Sequence, residues 1–164
     1  MVAKYDSSGN QQWIEQRTSR EFFNSVAVDS AGNIYVAGAG LSRDAFVTKY
    51  NSLGNQQWTQ EFGIDSSGFL FEYGIDLATD SANNVSILLR SARPFGVADS
   101  SVFKYDTAGY PLGMLYQTGR SFPPRPGEVR LFGIAIDTEN ILYLTGNILS
   151  DTNTTDDVWL GKLS

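Results

Sequence analysis

The sequence predicts an all-β fold assembled from repeated four-stranded antiparallel meanders, and three observations support this. One phrase recurs along the 164-residue chain at residues 5–13, at 50–58 and, shortened, at 105–110. A second phrase interleaves with it at residues 26–38, 75–89 and 134–146. The second phrase places β-branched and aromatic residues on both sides of a turn signal, which is the pattern of two strands joined by a tight turn. Repeats on this scale determine the architecture.

The turns of both phrases share one chemistry. Asp or Asn opens each turn, and the position that needs a positive φ in a four-residue hairpin loop holds glycine or asparagine. These positions are Gly9, Gly32, Gly54, Asn83, Gly109 and Asn140. Asparagine is the residue after glycine that best tolerates the left-handed region, so the exchange supports the alignment of the copies independently of their strands.

Each repeat is predicted to hold four strands, designated a, b, c and d. The a strands centre on residues 26–28, 76–78 and 134–136, and the b strands on 34–38, 85–89 and 142–146. The c strands run over residues 2–5, 45–50, 100–105 and 158–163, and the d strands over 11–16, 56–62 and 112–118. A meander of this length is typical of a β-propeller blade. A β-sandwich or an irregular barrel is the alternative, but a sandwich does not require in-register repeats.

We therefore expect a single partial propeller domain over residues 1–164. Within it, residues 1–18 form strands c and d, residues 24–62 form the first blade, residues 73–118 form the second, and residues 131–164 form strands a, b and c of a third.

The first full repeat resembles the bacterial repeats named for seven-bladed β-propellers, abbreviated SBBP. The resemblance rests on residues 26–38 (VAVDSAGNIYVAG), 44–51 (DAFVTKYN) and 54–58 (GNQQW). It covers nearly the whole chain and weakens towards the C-terminus, where Gly113 replaces the tryptophan of Trp13 and Trp58. It implies a propeller, usually in a bacterial extracellular or envelope protein, and no particular chemistry.

About three blades are too few for a closed propeller, which usually has four to eight. Either the chain is a piece of a longer propeller, or two chains close one ring. The second arrangement is our expectation: strands a, b and c at the C-terminus of one chain take strand d from the N-terminus of its partner. The homodimer then has six blades, and residues 2–5 are spare at each joint.

Composition excludes several functions. The chain has no cysteine and no histidine, which removes disulfides, thiolate nucleophiles, imidazole bases and histidine-ligated metals. The net charge of −6 argues against binding nucleic acid. No apolar run approaches the roughly 20 residues of a membrane span. We expect no cofactor and no catalysis. The enzymatic alternative is hydrolysis by paired carboxylates, with Glu21, Asp65, Glu72, Glu128 and Asp151 as candidate acids.

The b–c and d–a connections vary and fall at one end of every blade, which is where binding residues commonly lie. All eight arginines lie in or beside these connections: Arg17, Arg20, Arg43, Arg90, Arg93, Arg120, Arg125 and Arg130. Guanidinium groups suit carboxylate, sulfate and phosphate recognition, and aromatic residues such as Tyr73 and Phe95 accompany them. The sequence thus predicts a binding module whose glycan, anionic ligand or protein partner contacts this end.

Two alternatives to that interpretation remain open. The arginines could simply pair with Asp44, Asp99 and Asp157, which open the c strands. The chain could also be a purely structural, self-assembling scaffold.

Other repeated residues have structural interpretations. Lys4, Lys49, Lys104 and Lys162 share one position in strand c and are expected to lay their stems between blades and expose their ammonium groups. Trp13 and Trp58 are expected to pack between blades. Asp29, Asp80 and Asp137 are expected to form turns, with a calcium site as the alternative.

Overall fold

The computed structural model describes residues 1–16, 21–40, 44–62, 71–92, 98–117, 129–148 and 157–163. These residues form strands and turns and contain no helix. The strands are β1 (Val2–Tyr5), β2 (Gln11–Glu15), β3 (Phe22–Val28), β4 (Ile34–Ala39), β5 (Ala45–Tyr50), β6 (Gln56–Phe62), β7 (Phe71–Thr79), β8 (Val85–Ala92), β9 (Ala98–Tyr105), β10 (Pro111–Gln117), β11 (Val129–Ile136), β12 (Leu142–Ile148) and β13 (Asp157–Leu163).

The strands pair with their sequence neighbours into four separate antiparallel sheets. We name them the N-terminal pair (β1–β2), blade 1 (β3–β6), blade 2 (β7–β10) and blade 3 (β11–β13). Strands a, b, c and d of the sequence therefore correspond to the successive strands of each blade, and the N-terminal pair holds strands c and d. This arrangement confirms the predicted all-β fold of partial propeller blades.

The turns adopt the backbone conformation that the sequence predicts. The φ angles of Gly9, Gly32, Gly54 and Gly109 are 84°, 79°, 86° and 90°, and those of Asn83 and Asn140 are 63° and 64°. Each turn is closed by the side chain that opens it. Asp29 Oδ1, for example, accepts hydrogen bonds from the backbone N–H groups of Ala31 at 3.0 Å and Asn33 at 2.8 Å. Asp80 and Asp137 make the same pair of bonds, which confirms their predicted turn-forming role.

The core lies between the blades rather than within any single sheet. One cluster joins Tyr35, Ala37 and Val47 of blade 1 to Ile87 and Leu89 of blade 2. A second cluster joins Ala78, Leu88 and Val102 of blade 2 to Leu131 and Leu144 of blade 3. Because the middle strand β4 is covered on both faces, all six of its residues are buried. Each blade therefore depends on its neighbour for a hydrophobic core.

A repeated polar contact, which we call the seam, joins strands c and d of one sheet to the c–d turn of the next sheet. Lys49 Nζ and Trp58 Nε1 both donate hydrogen bonds to the carbonyl of Thr107, at 2.8 Å and 3.1 Å, in the c–d turn of blade 2. Lys4 Nζ and Trp13 Nε1 do the same to the carbonyl of Ser52, at 3.1 Å and 3.2 Å, in the c–d turn of blade 1. The seam thus has the same geometry at two successive joints.

The seam also explains the glycine of each c–d turn. A Cβ atom placed on Gly54 would lie 2.8 Å from the Trp13 ring, and one on Gly109 would lie 2.9 Å from the Trp58 ring. The predicted packing of both tryptophans between blades is confirmed. The expectation of exposed ammonium groups is wrong for Lys49, which is only 7% exposed, because the carbonyl of Thr107 replaces water as the partner of its ammonium.

The aspartate of the a–b turn has a different side-chain partner in blade 2 from its partner in the other blades. Tyr35 and Tyr143 donate their hydroxyl groups to the turn aspartates of blades 1 and 3, at 3.3 Å and 2.9 Å. The equivalent residue in blade 2 is Ser86, whose buried hydroxyl has no partner. Lys104 Nζ lies instead 2.7 Å from Asp80 Oδ2, and the two side chains are 24% and 4% exposed. Burial raises the pKa of Asp80, but hydrogen bonds from Lys104 and Asn84 outweigh it and hold that pKa below its ordinary value.

The first strands of the three blades are linked through Asp76. Its Oδ1 accepts a hydrogen bond from the Ser25 hydroxyl of blade 1 at 2.8 Å, and its Oδ2 accepts one from the Ile134 N–H of blade 3 at 2.9 Å. All three strands shift register near this point. One carboxylate therefore aligns three adjacent sheets at the strands a.

Replacing Gly54 by alanine is expected to cost more than replacing Gly32. Both substitutions place a side chain at a positive φ, which costs about 1–2 kcal/mol. Only Gly54→Ala also collides with the Trp13 ring, whereas a Cβ on Gly32 meets Ser52 at an ordinary 3.7 Å. Overpacking adds about 1–3 kcal/mol. Urea unfolding of the two variants measures the difference, and equal losses would contradict the packing of the tryptophan on the turn.

The ion pair of Lys104 and Asp80 predicts a pH-dependent stability difference. The folded pKa of Asp80 is lowered, so its stabilising effect is complete above the unfolded pKa of about 3.9 and disappears as the pH falls through the folded value. Lys104→Gln should lower the free energy of unfolding by about 1–3 kcal/mol at pH 6, because it leaves a buried carboxylate without its cation.

The same comparison at about pH 2.5 provides the control. This pH lies below the unfolded pKa of Asp80, where the contribution of the lowered folded pKa declines, so the stability difference between the wild type and Lys104→Gln should shrink. An equal difference at both pH values would show that Lys104 stabilises blade 2 through its packing alone.

Candidate functional site

Three of the ten residues predicted to bind a ligand lie within the described residues: Tyr73, Arg90 and Arg130. The other seven, Arg17, Arg20, Arg43, Arg93, Phe95, Arg120 and Arg125, lie outside them. The candidate site is therefore built from the three that the structure places, together with their neighbours.

The three residues lie at the end of the blades that was predicted from the sequence. Arg90 lies near the end of β8, opposite Tyr73 near the start of β7. Arg130 is the second residue of β11, opposite Asn147. Since β8 leads into a b–c connection, and β7 and β11 follow d–a connections, all three occupy the same end of blades 2 and 3. They lie on the ends of strands rather than in the connections themselves.

The guanidinium group of Arg90 packs against an aromatic ring. The guanidinium carbon of Arg90 lies 5.3 Å from the centre of the Phe132 ring, which belongs to the first strand of blade 3. This is a cation–π distance, and such contacts stabilise by about 0.5–1 kcal/mol or more when partly desolvated. Phe132 itself is 45% exposed. The contact therefore joins blade 2 to blade 3.

Arg130 brings a second positive charge to the same place. Burial lowers the pKa of Arg90, and the charge of Arg130 lowers it further. The Nε atom of Arg130 is buried and has no hydrogen-bond partner. Among the described residues, neither guanidinium forms an ion pair with a carboxylate. The site therefore combines two like charges and one unsatisfied donor, an arrangement that an oxyanion would complete.

The sequence did not predict the contact with Phe132, nor that both arginines lack a carboxylate partner among the described residues. One signal was available. The repeat places Ala39 of blade 1 and Asn147 of blade 3 at the position of Arg90, so this arginine departs from the repeat and is not part of its common structural pattern. Phe132 lies two residues after Arg130, on a strand whose bulge at Leu131 and Gly133 breaks simple alternation.

Most carboxylates of the hydrolase alternative lie outside the part of the chain that the structure describes. Of the five candidate acids, only the side chain of Glu21 is described; the backbone of Glu72 lies in β7, and Asp65, Glu128 and Asp151 lie outside the described residues. No group of three or more potential metal ligands occurs in the part of the chain that the structure covers. No helix in that part is long and apolar enough to cross a membrane.

Comparison with protein families identifies the repeat. Residues 22–42 match the family model of the SBBP beta-propeller repeat. The match confirms, over β3, β4 and the residues after them, the resemblance that the sequence shows. These are the residues that carry the Asp29 turn and the first two strands of blade 1.

Comparisons with whole proteins add little about activity. No curated protein matches the sequence. Among solved structures, the chain is similar to a protein of unknown function from Bacteroides caccae, with 15% identity and a TM-score of 0.48. The similarity covers 96% of this chain and 52% of that protein, so the chain spans about half of its length.

Replacing Arg130 by methionine is expected to leave stability unchanged or to raise it by up to about 1 kcal/mol. The change removes a buried unsatisfied Nε and the repulsion with Arg90 while keeping much of the aliphatic stem. Thermal unfolding measures the effect. A loss of about 1–3 kcal/mol would instead indicate that Arg130 is a structural ion-pair partner, as in the alternative with the strand-opening aspartates.

Proposed function

We propose that this chain is a non-enzymatic β-propeller interaction module that binds an oxyanion group at the arginine-bearing end of blades 2 and 3. The observation that carries this proposal is the Arg90 guanidinium over the Phe132 ring at 5.3 Å, together with the neighbouring Arg130, whose Nε has no hydrogen-bond partner. Partly buried like charges are costly, and an anion between them removes that cost.

The chemistry of the pair favours a planar or tetrahedral oxyanion. Guanidinium groups donate two parallel hydrogen bonds to carboxylate, sulfate or phosphate oxygens. The Nε donor of Arg130 has no partner but is buried, so the side chain must turn outward before an anion can accept a hydrogen bond from it. Phe132 and Tyr73 add aromatic surface beside the charges, since they are 45% and 37% exposed. Charged and aromatic groups in combination are typical of surfaces that bind acidic glycans and proteins.

The class of ligand follows from the charge of the whole molecule. A net charge of −6 repels the extended phosphate backbone of nucleic acids, whereas a local pair of arginines can still bind a single acidic group. The acidic group of a glycan or of a protein side chain therefore fits best. Binding rather than catalysis is proposed because the chain lacks histidine and cysteine, and the described residues contain no paired carboxylates beside the arginines.

Titration with inorganic sulfate and with glucuronate, followed by NMR at constant ionic strength, tests the proposal. Both anions should shift the resonances of Arg90 and Arg130 more than chloride does. Arg130→Gln should weaken binding about 10- to 100-fold, since a hydrogen bond to a charged group is worth about 1.5–3 kcal/mol. Arg90→Lys should weaken it less, because it keeps the charge and loses only the planar fork.

Lys162→Gln is the matched control for this experiment. It removes one positive charge from blade 3, but on β13 opposite Tyr143, towards the turn end of the sheet rather than the arginine end. Its affinity for both anions should equal that of the wild type. Equal affinities for Arg130→Gln and Lys162→Gln, or no preference over chloride, would contradict binding at the arginine pair.

A self-assembling scaffold is the second candidate function. It is favoured by one specific observation, the exposed apolar face on the first strand of blade 1, where Val26 and Val28 are each 59% exposed. The two functions are compatible, because this face lies on blade 1 and the arginine pair lies between blades 2 and 3.

A further inference from the structure

Equivalent residues of the three blades differ sharply in exposure. Val26 of blade 1 is 59% exposed, whereas Leu77 and Ile134, at the same position of blades 2 and 3, are 6% and 8% exposed. The exposed residue is therefore not a feature of the repeat. The equivalent surface is buried in blades 2 and 3, and these two blades show which elements cover it.

The cover of this position is a hairpin of strands a and b from the preceding blade. Leu77 packs in a cluster with Tyr35 and Ala37 of blade 1, and Ile134 packs in a cluster with Ala78 and Leu88 of blade 2. The N-terminal pair before blade 1 contains only strands c and d. It covers Ile34, which is 6% exposed, but it does not reach Val26.

β1 likewise lacks a backbone pairing partner on one of its two edges among the described strands. In blade 1, strand c pairs with strand d on one side and with strand b on the other, with Lys49 opposite both Trp58 and Tyr35. β1 pairs with β2, which places Lys4 opposite Trp13, and among the described strands it has no partner on its other edge. A cavity of about 310 Å³ lies beside it, lined by β1 and by Trp13, Val26, Val28, Gly32 and Ile34.

Blade 3 presents the complementary surface. Ala135 and Thr145 of its first two strands are exposed, and Tyr143 is partly exposed. Their equivalents in blade 1 are Ala27, Ala37 and Tyr35, which take part in the cluster that covers Leu77. Blade 3 therefore carries an a–b hairpin with a covering face, and the described residues give it nothing to cover.

The pairing register of β12 with its neighbouring strand c is also one that β1 can adopt. Tyr143 of β12 lies opposite Lys162 of β13, just as Tyr35 lies opposite Lys49 in blade 1. Lys4 occupies the same repeat position in β1 as Lys162 does in β13. β1 of another molecule can therefore take the place of β13 along β12 with Lys4 opposite Tyr143, although its four residues restore only part of the seven-residue pairing between β12 and β13.

We propose that the open face of blade 1 is an interface with a second copy of this chain, in which the β11–β12 hairpin of one copy adds to β1 of the other. The exchange is reciprocal and has two-fold symmetry. Two complete blades from each copy and two blades shared between the copies give a closed ring of six. The exchange gives up part of the β12–β13 pairing, so burial of the exposed apolar surface of blade 1 must outweigh that loss.

The geometry of this exchange differs from the dimer expected from the sequence. There, strand d was donated alone and residues 2–5 were spare. In the structure β1 is paired with β2 along its length, and Lys4 is bound in the seam, so strand d brings its own strand c.

Light scattering coupled to size exclusion tests the proposal on the chain of 164 residues. At micromolar concentration the mass should be twice the 18.0 kDa of one chain. Val26→Asp should give a folded monomer and weaken dimerisation at least 10-fold, because the substituted side chain is already exposed in the single chain. Leu112→Asp is the matched control. Its side chain is 55% exposed on β10, at the position of the exposed Gln12 and Gln57, and it should leave the dimer intact.

A cross-link distinguishes strand exchange from other dimers. The chain has no cysteine, so Val2→Cys and Thr145→Cys introduce the only thiols. In the exchanged ring these positions face each other across β1 and β12, and a short bismaleimide should join one copy to the other. Either single variant should not cross-link.

Three results would overturn the proposal. The wild type could be monomeric at all concentrations up to about 1 mM, Val26→Asp could dimerise as tightly as Leu112→Asp, or the dimer could fail to cross-link. Saturable binding of a peptide of residues 24–39 by a monomeric chain would assign the face to a hairpin from elsewhere in a longer polypeptide. Anion binding at Arg90 and Arg130 is measured separately and stands or fails independently of these results.

Discussion

The carbonyl group of Thr107 accepts two hydrogen bonds from the neighbouring blade, and much of the fold follows from this shared acceptor. A lysine from strand c and a tryptophan from strand d converge on one oxygen in the next c–d turn. The indole ring then lies directly on the glycine of that turn, which forbids a side chain there. Because the N-terminal pair makes the same contact on Ser52, the repeat sets the same relation at the first two joints between sheets. The apolar clusters between blades form within that relation.

The strands, turns and blade assignments could be predicted from the sequence because each rests on a local signal. Glycine or asparagine at six equivalent positions predicts a positive φ, and the structure has it at all six. The partner of each lysine could not be predicted. The spacing of Lys49 shows that its role is structural, but its acceptor lies 58 residues away in the chain and becomes visible only when two blades are placed side by side.

The candidate site, too, could be predicted from the sequence only in part. The end of the blades that carries the arginines follows from strand alternation alone, so it could be predicted. Which arginines lack a carboxylate partner among the described residues could not be predicted, because that depends on packing between β8 and β11. Arg90 lies over Phe132, and Arg130 leaves its Nε unsatisfied. A repeat optimised for packing would place small or neutral residues there, as it does at Ala39 and Asn147.

The most direct test of the shared acceptor is a double-mutant cycle on Lys49→Met and Trp58→Phe. The phenylalanine keeps aromatic packing on Gly109 and removes only the indole donor. If both donors bind the carbonyl of Thr107, their effects on the free energy of unfolding should be coupled by about 0.5–3 kcal/mol. Additivity within about 0.3–0.5 kcal/mol would show that the two side chains act independently and that the seam does not set the relation between blades.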